Sequence, residues 1–194
     1  EVAFHGSGPT IQVYTDTGSW RDTHYSPPTN EWTHIAFVRD SSANTLKMYA
    51  NGVQQWSVSN TRDYNEAMSL QIGSYGSSSY GDYKGYLSNF RIVAGADTAV
   101  YTSNFTVPTS PLTAITGTKL LTFTRSEPEI ITTGSTYFDG TADDLTVASS
   151  SDFALGTGDF TIECWVKFSD TSLVGGANRR IFSLNASAGN AVDK

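Results

Sequence analysis

The 194-residue chain has one cysteine, Cys164, which rules out a disulfide framework and a thiolate metal site and leaves the redox compartment open. Charge is scarce: 16% of residues are Asp, Glu, Lys or Arg, and 12 basic against 19 acidic side chains give a formal net charge of −7. No basic patch is large enough to neutralise a phosphate backbone, so nucleic acid is not expected as a partner, and the acidic balance reads as solubility. No apolar run approaches the roughly 20 residues needed to cross a bilayer, so membrane insertion is not expected. No signal peptide precedes Glu1, and a start at Glu rather than Met reads as a processed piece or a window on something longer. The triplets at Asn104 and Asn185 match the glycosylation acceptor pattern, but with no sign of a secretory route they read as chance. No stretch of a dozen residues sustains the apolar i, i+3, i+4 repeat of an amphipathic helix.

What is present favours short strands and many turns. Aromatics make up 12% of the chain, 17 residues are glycine, and Ser and Thr are abundant. In TNEWTHIAFVRDSSANTLKMYANGVQQW (29–56), Trp32, His34, Ala36 and Val38 share one face of an extended segment, and Thr33, Ile35, Phe37 and Arg39 the other. Both faces are largely apolar, which predicts a central strand. A polar turn at 41–44 and the Asn51-Gly52 pair, suited to φ > 0, then predict two hairpins in succession. SLQIG (69–73), YKGYLSNFRIV (83–93), KLLTFT (119–124) and DFTIECWVKF (159–168) read as further strands. The loop SYGSSSYGD (74–82) and the proline-bearing 102–119 read as non-ladder segments. The polar, acidic stretch 126–135 is the best linker. The expected architecture is all-β, with about a dozen strands in a two-layer sandwich around one core, since a chain of this length buries roughly 70% of its unfolded surface.

Particular residues carry a resemblance. YFDGTADDLTV (137–147), DFALGTGDFTIECWVKF (152–168) and RRIFSL (179–184) resemble the N-terminal third of a laminin G-like domain of the concanavalin A-like lectin/glucanase superfamily. EWTHIAFVRDSSANTLKMYANGV (31–53) and GYLSNFRIVAG (85–95) resemble its C-terminal two thirds. The resemblance implies an antiparallel jelly-roll sandwich whose pieces stand in swapped order: 1–125 as the C-terminal two thirds, 126–135 as linker, 136–194 as the N-terminal third. Joined end to start, the seam IFSLNASAGNAVDK-EVAFHG reads as strand, turn and strand. The chain is then either a circularly permuted domain or a window of one period in tandem repeats whose exposed edges pair with neighbouring copies. TAVYTSNFTVPTSPLTAITGTKLLTF (98–123) is similar to the stretch that closes such domains in structural proteins of tailed bacteriophages, which implies a virion surface or extracellular location and partners among virion proteins or other copies.

Because the superfamily includes glycosidases, paired acids are the first chemistry to seek. Glu163 is the one acid on a long predicted strand, and Thr161, Trp165 and Lys167 share its face. Asp143 and Asp144 would point apart, and Glu127 and Glu129 flank Pro128 in the linker. No catalytic residue is assigned. Of the three imidazoles, His5, His24 and His34, the last reads as a hydrogen-bonded core residue. No cofactor is expected. Related domains often hold a calcium ion, for which Asp139, Asp143, Asp144, Asp152 and Asp159 are candidate donors, with turn capping as the alternative role. Sugars offer apolar ring faces with hydroxyl rims, so a glycan site wants a flat exposed aromatic beside polar groups. Tyr75, Tyr80 and Tyr83 with Asp82 fit that pattern, and so do Trp20 and Tyr25 near Asp22, with a core position and a satisfied hydroxyl as the default role for any one tyrosine. The expected function is a non-catalytic adhesion or structural module on a phage surface, with host-glycan attachment as a further duty. A carbohydrate-binding module of a secreted bacterial protein is the alternative, and a degenerate glycosidase comes third.

Overall fold

The computed structural model describes residues 2–4, 9–15, 19–74, 82–96, 99–124, 134–171 and 179–186. They form thirteen strands: β1 (Val2–Phe4), β2 (Ile11–Thr15), β3 (Ser19–Asp22), β4 (Trp32–Asp40), β5 (Thr45–Ala50), β6 (Val53–Ser59), β7 (Met68–Ile72), β8 (Lys84–Ala96), β9 (Thr118–Thr122), β10 (Ser135–Asp139), β11 (Leu145–Ser150), β12 (Asp159–Phe168) and β13 (Arg179–Ala186). One 3₁₀ turn, Ser151–Phe153, is the only helical element among the described residues, and none of their helices is long and apolar enough to cross a membrane.

All ladders between these strands are antiparallel, and they make two sheets. The six-stranded sheet runs β11-β7-β13-β1-β2-β3; the seven-stranded one runs β10-β8-β12-β4-β5-β6, with β9 also on β8. β12 therefore separates β8 from β4, and β13 separates β7 from β1. Strands from the last third of the chain sit inside both sheets, and the core between the layers draws on all parts of it: Phe4, Ile35, Phe37, Met48, Leu70, Phe90, Ile162, Phe168 and Phe182 are among its buried members.

Local chemistry explains the strand phases. On β4, Ile35 and Phe37 enter the core, whereas Ala36 and Val38 belong to a second cluster on the outer face. Both sides of the strand are covered, which is why it reads apolar throughout. Asn51 (φ 48°) and Gly52 (φ 78°) make the turn between β5 and β6. In β8 the period of two breaks: Leu87 points inward, Asn89 adopts φ 51°, and from there Phe90, Ile92 and Ala94 point inward instead. The outer face of β8 is thus carried by Tyr86, Ser88, Arg91 and Val93. Most of the expected linker lies outside the described residues, but its last residue, Ser135, opens β10, where pairing with Ser88 extends the strand past the polar stretch.

Candidate functional site

The outer face of the seven-stranded sheet holds the densest polar and aromatic chemistry among the described residues. Segment 99–117 crosses this face without pairing as a strand, as its prolines predict. It is fastened from end to end. Val100 N–H donates to Thr161 Oγ1 (3.3 Å), Lys47 Nζ to the Thr102 carbonyl (3.1 Å), Phe105 N–H to the Gly52 carbonyl (2.9 Å) and Gln54 N–H to Asn104 Oδ1 (2.9 Å). Further along, Leu112 N–H donates to Asn89 Oδ1 and Arg91 Nη1 to the Thr113 carbonyl, both at 2.8 Å.

Beneath this strap lies Glu163, with no side-chain exposure. Register sets it between Ala36 of β4 and Arg91 of β8. Arg91 donates to its Oε1 through Nε (2.9 Å) and Nη2 (2.5 Å), while Oε2 accepts from His34 Nε2 (3.0 Å) and the Tyr101 hydroxyl (2.9 Å). The His34 ring is enclosed edge-on by Tyr101, Phe105 and Trp165, and Tyr101 stacks on Phe105 with centroids 3.6 Å apart. Its Nδ1 is buried without a hydrogen-bond partner, so the ring meets the network through Nε2 alone.

The electrostatics follow from this packing. Burial alone would raise the Glu163 carboxyl, but the hydrogen bond from His34 and the Arg91 charge outweigh it and hold the group below the ordinary carboxylate range. Burial, reinforced by the Glu163 charge, pushes the Tyr101 hydroxyl up, and the same two causes raise the buried Cys164 thiol, leaving it poorly reactive. Both Glu163 oxygens are engaged, no second carboxylate joins them among these contacts, and the strap closes the approach. The arrangement is a structural lock rather than an acid–base pair.

One row of this sheet face lies beyond the strap contacts. Trp32 of β4 pairs with Lys167 of β12, Lys167 with Tyr86 of β8, and Tyr86 with Tyr137 of β10. Each alternates with a core residue on its strand, so all four point outward. The Tyr86 and Tyr137 rings are 4.8 Å apart, Trp32 and Tyr86 6.5 Å, and Lys167 Nζ lies 5.9 Å from the Tyr86 centroid. Tyr137 is 47% exposed. Three of its four strands, β4, β8 and β12, are readable in the sequence; the row is not, because it depends on the register of four strands far apart in the chain.

The structure distributes the expected glycan residues differently. Tyr75 and Tyr80 lie outside the described residues. Tyr83 is a correction: it is fully buried, packs edge-on against Phe138 and Phe168, and donates its hydroxyl to the Tyr86 and Lys167 carbonyls, so it presents no face to a ligand. Asp82 accepts from Ala142 N–H (2.6 Å), joining two loops. Trp20 packs on Tyr14, on the side of the six-stranded sheet away from the core, while Tyr25 packs against the core, so no single surface carries both. Burial raises the Tyr25 hydroxyl.

The candidate calcium donors serve local geometry. Asp139 and Asp143 accept from backbone N–H groups within their own turn, Asp144 from the Thr146 hydroxyl, Asp152 from the Ser150 hydroxyl, and Asp159 from Ser41. Among the described residues no group of three or more His, Cys, Asp or Glu is gathered so as to hold a metal ion. His5 is outside the described residues, and His24 is exposed beside Asp22.

Two antiparallel sheets closed over one core by interleaved strands define a lectin-like jelly-roll sandwich. A laminin G-like family model, described as concanavalin A-like lectin/glucanases superfamily, matches residues 1–100, and the chain belongs to that superfamily. Domains of this class often bind carbohydrates or mediate adhesion. No curated protein and no solved structure matches the chain.

Proposed function

We propose that the chain is a non-catalytic adhesion and structural module on the surface of a bacteriophage particle, in a tail fibre or capsid decoration, and that it holds host glycans. The observation that carries the non-catalytic reading is Glu163: the acid best placed by sequence is sealed beneath the strap with both oxygens occupied. The aromatic row on the same face, half-buried at Trp32 and Tyr86 and exposed at Tyr137, supports glycan holding, and the likeness of 98–123 to closing segments of phage structural proteins supports the virion surface. The antiparallel pairing of β1 with β13 supports a circularly permuted domain, because a link from the last residues to the first would join neighbouring strands.

Mass spectrometry of density-purified particles, with antibody labelling of intact ones, tests the location. Peptides of this chain in the particles, with surface label, are the expected result. Recovery in the secreted fraction and not in particles would favour the second reading, a carbohydrate-binding module of a secreted bacterial protein, which the same aromatic row serves equally well.

A further inference from the structure

Resting on the glycan-holding reading, we propose that the row Trp32–Lys167–Tyr86–Tyr137 is the binding platform and that its ligand is an acidic polysaccharide. Pyranose faces lie on the three rings, and a carboxylate or sulfate of the chain meets the Lys167 ammonium.

Geometry gives the length and direction of the ligand. The four residues stand one per strand on β4, β12, β8 and β10, and strands about 4.8 Å apart make a strip of roughly 14 Å running across the sheet. That suits an oligosaccharide lying across the strands, not a single sugar in a pocket. Trp32 and Tyr86 are two strands apart, a span of roughly 10 Å in backbone terms. Their centroids are 6.5 Å apart, so the two rings lean toward each other across β12. Lys167 is half-buried and points outward between them, with its ammonium 5.9 Å from the Tyr86 centroid.

Exposure and charge give the chemistry. Tyr137 is one of three large apolar side chains strongly exposed among the described residues, and the other two, Val53 and Ile115, belong to no such row. Elsewhere on this face the strap covers the aromatics: Phe105 packs against Tyr49 and His34, and Tyr101 against His34. No carboxylate forms an ion pair with Lys167 among the described residues; its close partner is the Tyr86 ring. In a chain of net charge −7, an ammonium set among tilted aromatic rings, with no carboxylate partner among the described residues, singles out an anionic group carried on a sugar. The surrounding acidity works against a uniform polyanion at low ionic strength, but screening over about 8 Å at physiological salt confines that repulsion.

The test is calorimetric titration of the whole chain with oligomers of galacturonic acid and, in parallel, with neutral cello-oligosaccharides. The acidic oligomers are expected to bind more tightly. Trp32→Ala and Tyr137→Ala should each weaken binding about tenfold while the thermal midpoint stays within a few degrees of the parent. Lys167→Met should abolish the preference for acidic over neutral oligomers, and Lys167→Arg should retain it. Equal binding of both oligomers by the parent would overturn the anionic assignment. Binding that survives Trp32→Ala and Tyr137→Ala but is lost in Trp20→Ala would move the site to the other sheet, overturning the platform and leaving glycan holding intact. If a broad array of acidic and neutral glycans finds no ligand for the parent, the glycan reading itself falls.

Discussion

At the scale of the residue, Glu163 ties three strands and the strap together. Breaking a buried, hydrogen-bonded ion pair from one side strands the remaining charge, so Glu163→Gln, which leaves Arg91 unpaired, should cost about 3 kcal/mol in chemical denaturation. Tyr101→Phe removes one donor to the same carboxylate and should cost about 1.5 kcal/mol. The pH dependence has a definite sign. The folded carboxyl lies below its unfolded value, so its contribution is complete above the ordinary range near 4.5 and is lost as pH falls through the folded value. Asp40, lowered chiefly by the Ala43 N–H and the Ser42 hydroxyl, adds a contribution of the same sign. Stability should therefore fall on acidification below about pH 4.5, and Glu163→Gln should flatten that fall. Equal pH slopes in parent and variant would show that the network contributes no proton linkage.

At the scale of the element, the strap depends on a turn in the neighbouring hairpin. A Cβ on Gly52 would stand 2.0 Å from the Phe105 carbonyl oxygen, at a backbone φ of +78°. Gly52→Ala should cost about 2 kcal/mol and loosen the strap, read as faster chymotryptic cleavage at Tyr101 and Phe105. Unchanged cleavage would mean that the remaining strap bonds hold without this one. The same hairpin shows what was legible beforehand. Asn51-Gly52 and the alternation along 32–40 and 159–168 are local signals, and each produced its element. The sequence leaves Tyr83 open between loop and core because its side depends on Gly85, where the chain passes within contact of the Lys167 carbonyl, and on Phe138 and Phe168, which no local pattern brings near. The Glu163 lock was half legible: alternation put the acid on one face of β12, but Arg91 joins it only because Asn89 reverses the phase of β8. The Trp32–Tyr137 row needed the register of four strands, which pairing sets and composition does not.

At the scale of the whole molecule, the order of strands in space differs from their order in the chain in a particular way. β12 fills the gap between β8 and β4, and β13 the gap between β7 and β1. A fragment ending at residue 124 would leave four inner strand edges unpaired, two in each sheet, with the apolar faces of Phe37, Phe90 and Leu70 short of their packing partners. Such a fragment should not fold cooperatively alone, and adding the piece 134–194 should restore the far-ultraviolet dichroism of the intact chain. The complementary change is a permuted chain in which residue 194 is joined to residue 1 and new ends are opened between 125 and 133. Because β13 and β1 are already antiparallel neighbours, with Val2 opposite Phe182, the new link closes a short loop, whereas the opened stretch contributes no described strand pairing. The permuted chain should melt within a few degrees of the parent in a single transition. A permuted chain that fails to fold, together with a 1–124 fragment that melts cooperatively by itself, would mean that the first two thirds carry their own core and that the interleaving of β12 and β13 does not hold the sandwich together.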